Sequence, residues 1–376
     1  MIMIPAQLVQ TPADYQRMIA HLKKQKSIGV DTESNSLHAY HEKVCLIQIS
    51  SPTQDFLLDP FAFEELNAMG EIFADESIQK VFHAGDYDIA CLKRDYDFTF
   101  KNLFDTMLTA TALGEANIGL NALVNKYLGV VLEKKYQRAD WGQRPIKPEM
   151  LAYAQADSHY LLSLRDHLLK QLPPNGRLDI LKEDFAALAE SRLAMKGHVE
   201  DIWQVKGVIG LQPKALSLLN QLNHLREELA EAADKPTFKI LPDRAMIEIA
   251  QTQPRFIQEL SLLPSLTPVL IRRYGKKLMA VVNAWRKNPS VVARRKLQRP
   301  TESQIKRRKA LMSWRKETGL REGVPSNVIL PRDLLQRLAD QKITDLTHLE
   351  GEMKATPTRF KRYGSQILAQ LNKENT

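Results

Sequence analysis

The sequence has few of the residues that define several common protein classes. It contains only two cysteines, Cys45 and Cys91, and both lie in apolar stretches. Two cysteines cannot form the disulfide framework of a small secreted protein, so we expect buried, reduced thiols and a reducing compartment. The N-terminal segment has no basic region followed by a long apolar region, which predicts that there is no signal peptide.

Long hydrophobic runs are also missing. No uncharged apolar stretch approaches the roughly 18 residues that span a bilayer, so we expect no contact with membranes and a cytoplasmic location. Hydrophobic residues nevertheless make up 44% of the chain, which is enough to build ordinary cores. A length of 376 residues predicts two or three domains rather than one.

Basic residues are scarce in the first half of the chain, and acidic residues are scarce in the second half. Residues 1–200 hold 21 Lys and Arg against 27 Asp and Glu, a balance of −6. Residues 201–376 hold 32 against 17, a balance of +15, and the two balances add to the +9 of the whole chain. This division predicts a carboxylate-containing active site followed by a module that binds polyanions. A basic half that only aids solubility is the less favoured alternative.

The first half alternates between short apolar runs and segments with helical periodicity. We predict strands at 27–31, 44–50, 55–59 and 80–84, and helices at 86–95, 103–113, 119–128 and about 147–172. Pro148 lies in the first turn of the last helix, and Pro173-Pro174 ends it. Short connections between the first three strands favour antiparallel pairing. The pattern predicts an α/β domain with a mixed sheet that ends near residue 200.

The second half is predicted to be helical and contains an internal repeat. At an offset of 89 residues, KILPDRAMIEIA at 239–250 corresponds to VILPRDLLQRLA at 328–339, and RRYGKKLMAVV at 272–282 corresponds to KRYGSQILAQL at 361–371. We therefore predict two tandem helical domains of roughly eighty residues each. Between them, a basic linker at about 286–309 contains ten basic residues and only Glu302 as an acid, and it would attract phosphate backbones.

Three aromatic residues of the repeats, Tyr274, Tyr363 and Trp314, have two possible roles. They could stack on nucleic-acid bases. Tyr274 and Tyr363 occupy equivalent repeat positions, however, and such positions more often lie in the core. We therefore favour core packing for the two tyrosines.

Carboxylates follow the ends of the predicted strands. Asp31 and Glu33 come at the end of the first apolar run, in SIGVDTES, and side chains two apart on a strand point to the same face. Two adjacent carboxylates repel each other unless a positive charge lies between them, and hard oxygen ligands suit Mg²⁺ or Mn²⁺. Alone, the pair is more often found in a solvated turn.

Further residues extend the pattern. Asp86 and Asp88 follow the strand predicted at 80–84 and begin a helix, where one of them could be the N-cap. Tyr153 and Asp157 are four residues apart in the long helix and therefore share a face. Each observation alone is weak, but a shared metal site explains why acids recur at the ends of elements.

Together these motifs resemble the tyrosine-containing branch of the DEDD exonuclease superfamily, and in particular the ribonuclease D family. The resemblance is carried by VDTES, VFHAGDYDI, LFDTMLTATAL and YQRADWGQRPIKPEMLAYAQADSHYLL. The helical repeats resemble the helicase-and-RNase-D C-terminal (HRDC) domain, present twice. The resemblance implies a ribonuclease H-like, mixed-sheet exonuclease domain at 1–205, followed by all-α HRDC domains at 206–290 and 296–376.

The resemblance also implies the residues of the site. Asp31 and Glu33 match the first motif, Asp88 matches the second, Asp157 matches the fourth carboxylate, and Tyr153 matches the tyrosine before it. All five would be catalytic, and the four carboxylates would bind two divalent metal ions, Mg²⁺ or Mn²⁺.

Two other acids need separate treatment. Asp86 departs from the usual second motif and could share the role of Asp88. Asp105, in FDT, is typical of the family, and we expect it to cap or support a helix rather than to bind metal.

The implied function is that of a metal-dependent 3′–5′ exoribonuclease. It would release 5′-mononucleotides by a two-metal-ion mechanism and trim the 3′ ends of precursor tRNAs and other small structured RNAs, acting as a monomer. The basic repeats favour a polymeric substrate over a small phosphate ester. Two alternatives stay open, a 3′–5′ exodeoxyribonuclease and a non-catalytic RNA-binding protein with a degenerate nuclease fold.

Overall fold

The computed structural model describes residues 5–174, 177–192, 202–293 and 299–373. The chain divides into two compact units, one made of Met1–Glu33, Val44–Arg192 and Gln298–Thr376 and the other of Ser34–Lys43 and Leu193–Leu297. The first unit contains the sheet, the helices packed on it and the second helical repeat, and the other unit contains the first helical repeat. None of the helices within the described ranges is long and apolar enough to cross a bilayer.

A six-stranded mixed sheet forms the centre of the first unit. Its strands are β1 Gln7–Val9, β2 Ser27–Ser34, β3 Val44–Ser50, β4 Asp55–Leu58, β5 Gln79–Phe82 and β6 Leu103–Asp105. Their order in the sheet is β1-β4-β3-β2-β5-β6. β1 with β4, β2 with β5, and β5 with β6 pair in parallel, whereas β3 and β4 are antiparallel, as the short connection between them predicts.

The described part of the first half also contains eight α-helices. They are α1 Pro12–Leu22, α2 Asn67–Ala74, α3 Asp86–Tyr96, α4 Thr106–Ala112, α5 Leu120–Leu128, α6 Pro148–His159, α7 Leu161–Gln171 and α8 Arg177–Ala189. The predicted α/β class is therefore confirmed. Cys45 and Cys91 are both buried in this unit, as predicted.

The structure corrects several details of the sequence prediction. β1 and β6 were missed because each has only three residues, too few to establish a pattern. The helix predicted at 103–113 was wrong at its start, because residues 103–105 pair with β5 and the helix begins at Thr106. The single helix predicted at 147–172 is also wrong: it divides at Tyr160, whose N–H bonds to the carbonyl of Ser158.

The predicted repeat is confirmed by the positions of the helices. The first copy contains α9 Pro213–Ala232, α10 Thr237–Ile240, α11 Asp243–Thr252 and α12 Pro268–Lys287. The second copy contains α13 Glu302–Glu322, α14 Ser326–Ile329, α15 Arg332–Asp340, α16 Leu346–Glu352 and α17 Pro357–Leu371. Four pairs of helices begin 89 residues apart, at 213 and 302, 237 and 326, 243 and 332, and 268 and 357. The basic linker at 286–309 overlaps α12 and α13, and residues 294–298 lie outside the described ranges.

The aromatic residues of the repeats lie in their cores. Tyr274 and Tyr363 are 7% and 2% exposed, so core packing is confirmed for this pair. Trp314 is also buried in the second repeat, and its indole nitrogen lies 3.1 Å from Oε1 of Gln366. Stacking of Trp314 on a base is therefore the wrong alternative.

Candidate active site

Two of the predicted site residues lie near the C-terminal end of β2. Asp31 and Glu33 are both partly buried there. Gly29, on the same strand, allows β2 to approach α6 closely, because a Cβ at Gly29 would lie only 2.7 Å from the carbonyl oxygen of Ser158. This close approach brings β2 next to the turn of α6 that carries Asp157.

The carboxylates of Asp31, Glu33 and Asp157 converge. One oxygen of each lies within 4.8 Å of the others, and among the described residues this is the one group of three or more His, Cys, Asp or Glu side chains with such spacing. Two of the three come from one strand and the third from a helix more than one hundred residues further along the chain. The structure therefore brings together three residues that the sequence motifs predict to share a site.

Asp88 lies in the first turn of α3 and is buried. Its carboxylate accepts a hydrogen bond from the hydroxyl of Thr32 on β2. Its charge contributes to the raised pKa of Asp31, of Glu33 and of Asp157, so Asp88 lies close enough to interact with them. It is not part of the group whose oxygens lie within 4.8 Å of one another.

The structure separates Asp86 from Asp88. Asp86 is exposed, and its negative charge contributes to the raised pKa of Asp88. The expectation that one of these two acids caps the helix is wrong, because Gly85 occupies the N-cap position of α3.

All four carboxyl groups have raised pKa values. Burial is the main cause at each of them, and the neighbouring carboxylates add to it. The pKa of Asp31 and that of Glu33 lie well above the usual range, whereas Asp88 is raised to about 6 and Asp157 to about 7. A cation placed among these oxygens would relieve both the repulsion and the loss of hydration, and such oxygen ligands fit a divalent metal ion.

Tyr153 lies one turn before Asp157 on α6 and is hydrogen-bonded to it. Burial, followed by the charges of Asp157, Glu33 and Asp31, raises the pKa of Tyr153 well above its usual range. The phenol therefore stays protonated at neutral pH and can donate a hydrogen bond but cannot take up a proton.

Two aromatic side chains hold the ring of Tyr153. Its centroid lies 5.9 Å from that of Tyr136 and 6.2 Å from that of Trp141, and Trp141 is almost fully buried. These contacts fix the ring at the edge of the carboxylate group, so that the position of its hydroxyl is set by packing as well as by the hydrogen bond.

Asp105 supports the site without joining it. It is buried, and its carboxylate accepts hydrogen bonds from the N–H of Leu108 in α4 and from the N–H of Gly85, each at 2.9 Å. These contacts confirm the expectation that Asp105 caps a helix. They also tie the start of α3, and hence Asp88, to the end of β6.

Two supporting contacts were missed by the sequence analysis. Thr32 was overlooked although it lies directly between two predicted site residues. The other contact joins Arg144, on the segment before α6, to the buried Asp59 through two hydrogen bonds of 2.7 Å. The two residues are 85 positions apart, and no local sequence pattern predicts that they pair.

Comparisons with known proteins agree with this arrangement. Residues 6–173 match the model of a 3′–5′ exonuclease domain. Residues 215–282 and 304–371 each match the HRDC domain. The exonuclease match covers the sheet and every residue of the site described above.

Relatives and solved structures extend the comparison. The exosome complex component 10 homolog of Caenorhabditis elegans is 32% identical over 295 residues, which cover 74% of this chain and 33% of that protein. The chain thus spans about a third of the length of that relative. The catalytic core of RRP6 from Trypanosoma brucei is 29% identical with a TM-score of 0.62, and the match covers 74% of this chain and 79% of that one.

One solved structure matches nearly the whole chain in its fold. Escherichia coli RNase D superposes with a TM-score of 0.74 over 99% of both chains at 22% identity. The order of sheet domain and two helical repeats is thus the same in the two proteins. The chain therefore contains one 3′–5′ exonuclease domain followed by two HRDC domains, and its fold is that of Escherichia coli RNase D.

Proposed function

We propose that the chain is a metal-dependent 3′–5′ exoribonuclease that releases nucleoside 5′-monophosphates. The observation that carries this proposal is the convergence of Asp31, Glu33 and Asp157, with the buried Asp88 nearby, inside a 3′–5′ exonuclease domain. The four carboxylates would hold two ions, Mg²⁺ or Mn²⁺. When bound, the ions would supply an activated water and neutralise the charge that develops on the scissile phosphate.

The side chains of the site have separate tasks in this proposal. Asp31, Glu33 and Asp157 bind metal directly, and Asp88 completes the set in the orientation fixed by Thr32. Tyr153, which stays protonated, would orient the attacking water by a hydrogen bond. Because the phenol cannot take up a proton at neutral pH, its task is positioning rather than general-base catalysis.

RNA rather than DNA is proposed from the likeness to Escherichia coli RNase D, an exoribonuclease, and the charge of the second half supports a polymeric substrate. Residues 201–376 carry a balance of +15, which favours binding to a phosphate backbone over binding to a small phosphate ester. The 3′ ends of precursor tRNAs and other small structured RNAs remain the proposed targets, with the protein acting as a cytoplasmic monomer. The proposed domain limits remain 1–205, 206–290 and 296–376.

The choice between RNA and DNA can be tested with two single-stranded oligonucleotides of one sequence. Each carries a 5′ fluorophore and is incubated with the full chain and Mg²⁺, and products are separated by length and by mass. The proposal predicts stepwise shortening of the RNA from its 3′ end, 5′-monophosphate products and much slower digestion of the DNA. Faster digestion of the DNA would support the exodeoxyribonuclease, and an intact RNA would support a non-catalytic binding protein.

A further inference from the structure

Helix α6 carries two sets of polar side chains on different sides. Tyr153 and Asp157 are four residues apart and share the side that belongs to the site. Gln155 and His159 are also four residues apart, and each lies two positions from Asp157, which places them on roughly the opposite side of the helix. The contacts of this second side therefore limit how far α6 can rotate or slide along the sheet.

Asp55, the first residue of β4, is the partner of this second side. It is 7% exposed, and one of its carboxylate oxygens lies 2.6 Å from Nε2 of Gln155 and 2.7 Å from Nδ1 of His159. Burial raises the pKa of Asp55, but the hydrogen bonds that it accepts outweigh burial, so its pKa lies below the usual 3.8. An ionised carboxylate only accepts hydrogen bonds, so both side chains of α6 donate to it.

Two further bonds hold the same part of α6. Oε1 of Gln155 accepts a hydrogen bond of 3.2 Å from the N–H of Ala6, directly before β1. The hydroxyl of Ser158 lies 2.8 Å from that of Ser50, the last residue of β3, and both residues are buried. The side of α6 away from Asp157 is thus bonded to three strands of the sheet or to residues next to them.

The position of Asp157 leaves little room for movement. One oxygen of Asp157 lies within 4.8 Å of an oxygen of Asp31 and of Glu33, and a displacement of about 1 Å at such a site can lower a rate by about a hundredfold. Apolar side chains would pack a helix against a sheet at least as stably as a buried carboxylate does. The polar contacts of α6 are therefore explained by the geometry that they fix.

We propose that Asp55 is a positioning residue, which acts through Gln155 and His159 to hold the carboxylate of Asp157 among the metal-binding oxygens. Asp55 itself binds no metal ion and no substrate. Residues that orient metal ligands in this way typically change metal affinity or activity by about ten- to a hundredfold when they are replaced. The inference rests on the metal-dependent function proposed above.

The first arm of the test measures metal binding without turnover. Mn²⁺ is titrated into the full chain, and the free ion is measured by electron paramagnetic resonance. His159→Leu removes a donor to Asp55, and we expect it to raise the Kd for Mn²⁺ roughly ten- to hundredfold. His159→Asn keeps an N–H donor near the position of Nδ1 and should stay within about threefold of the native Kd. Asp55→Leu removes the acceptor and should act in the same direction as His159→Leu.

Tyr15→Phe is the matched control. The hydroxyl of Tyr15, on α1, accepts a hydrogen bond of 2.9 Å from the N–H of Met69 on α2, and both residues are buried. The control therefore also removes a buried hydrogen bond from the sheet domain, but between two helices that carry no residue of the site. It should lower the unfolding temperature, as His159→Leu does, and leave the Kd for Mn²⁺ unchanged.

The second arm measures turnover of a single-stranded RNA in saturating Mn²⁺. We expect kcat to fall at least about tenfold in His159→Leu, with KM for RNA within about twofold, and to recover in His159→Asn. A role in stability alone would lower kcat in neither variant once the chains are folded. An equal Kd for Mn²⁺ in the native chain and in His159→Leu, or an equal rise in Tyr15→Phe, would overturn the inference.

The two arms also keep this inference separate from the function on which it rests. If the native chain binds Mn²⁺ and His159→Leu weakens that binding, but no RNA is degraded, the exoribonuclease proposal fails and the positioning role stands. If the native chain degrades RNA and His159→Leu binds Mn²⁺ normally, the positioning role fails and the exoribonuclease proposal stands. A native chain that binds no Mn²⁺ overturns the positioning role.

Discussion

Thr32 donates a hydrogen bond from its hydroxyl to the carboxylate of Asp88. Thr32 lies between Asp31 and Glu33, so the strand that supplies two carboxylates also holds a third in place. Burial raises the pKa of Asp88 to about 6, and the hydrogen bond from Thr32 opposes that rise. Thr32 is therefore a positioning residue that acts through Asp88.

Replacing Thr32 by valine tests this relationship, because valine has nearly the same shape and no hydroxyl. Loss of a hydrogen bond to a buried carboxylate costs about 1.5–3 kcal/mol, so we expect kcat on RNA to fall by at least about tenfold. Thr32→Ser keeps the donor and should retain most of the activity. The Mg²⁺ concentration that gives half-maximal rate should rise in Thr32→Val alone. Equal rates and equal Mg²⁺ dependence in the two variants would contradict the positioning role.

Asp31→Asn is expected to have opposite effects on activity and on stability. Burial and the charges of Asp88, Asp157 and Glu33 raise the pKa of Asp31, so its ionised form destabilises the metal-free folded chain at neutral pH. In chelator, the variant should therefore unfold at a temperature higher by about 2–4 °C for each 1 kcal/mol of repulsion removed.

The same variant should respond differently to metal. The proposed site exists only in the folded chain. Increasing concentrations of Mg²⁺ should therefore raise the unfolding temperature of the native sequence. Asp31→Asn should lose most of that increase, since one of the three converging ligands is gone. Differential scanning fluorimetry across a Mg²⁺ titration measures both effects. A native chain whose unfolding temperature does not respond to Mg²⁺ or Mn²⁺ would argue against a metal site here.

Arg144→Gln is expected to weaken the support of α6. Burial raises the pKa of Asp59, but hydrogen bonds from Arg144 and Gln10 outweigh it, so the net pKa lies below the usual 3.8. Because the pKa of Asp59 is lower in the folded chain than in the unfolded chain, ionised Asp59 stabilises the fold at pH values above its unfolded-state pKa. This stabilisation is lost as the pH falls through its folded-state pKa. We predict a loss of about 2–3 kcal/mol at pH 7 that shrinks below about pH 4. Urea unfolding at several pH values measures this difference in the free energy of unfolding. A difference that does not change with pH would contradict a role for the ion pair between Arg144 and Asp59.

Arg359 distinguishes the two helical repeats. It is fully buried in α17, and its guanidinium lies 3.1 Å from a carboxylate oxygen of Glu183 and 2.9 Å from one of Asp184, both on α8. The equivalent position in the first copy, 89 residues earlier, is Leu270. A buried ion pair thus fixes the second repeat to α8. The first repeat has the uncharged Leu270 at the equivalent position and cannot form this ion pair there.

Arg359→Leu tests that anchor by inserting the residue of the first copy. Removing one partner of a buried ion pair typically costs about 3–5 kcal/mol, and we expect a loss of this size in the stability of the first unit. Lys361→Leu, at an exposed position two residues away, should change stability by no more than about 0.5 kcal/mol. Thermal and chemical unfolding compare the two, and similar effects in both would show that Arg359 is not an anchor.

The sequence revealed features that depend on local periodicity or on motifs. Strands β2 to β5 coincide with apolar runs of the sequence. The repeat is visible in the sequence as an offset of 89 residues, and the helices of the two copies begin at the same offset. The position after a strand singled out Asp31 and Glu33, whereas Asp157 was assigned by the resemblance to the DEDD exonuclease motifs.

Other features depend on contacts that no local pattern encodes. Arg144 and Asp59 are separated by 85 residues, and Arg359 and Glu183 by 176. The division at Tyr160 follows a backbone hydrogen bond inside a segment that is apolar enough to continue as one helix. The close approach of β2 to α6 at Gly29 also depends on where α6 packs. The need for glycine at this position is therefore visible only in the folded structure.

The central claim is that these carboxylates catalyse metal-dependent removal of nucleotides from RNA 3′ ends. It is tested most directly by a time course on a 5′-labelled RNA, with the native chain, Asp31→Asn and Asp157→Asn compared in Mg²⁺ and in chelator. We predict stepwise 3′ shortening by the native chain in Mg²⁺ and a loss of at least about a thousandfold in either variant and in chelator, with all chains folded. Near-native shortening by either folded variant, or equal shortening in chelator, would contradict the account.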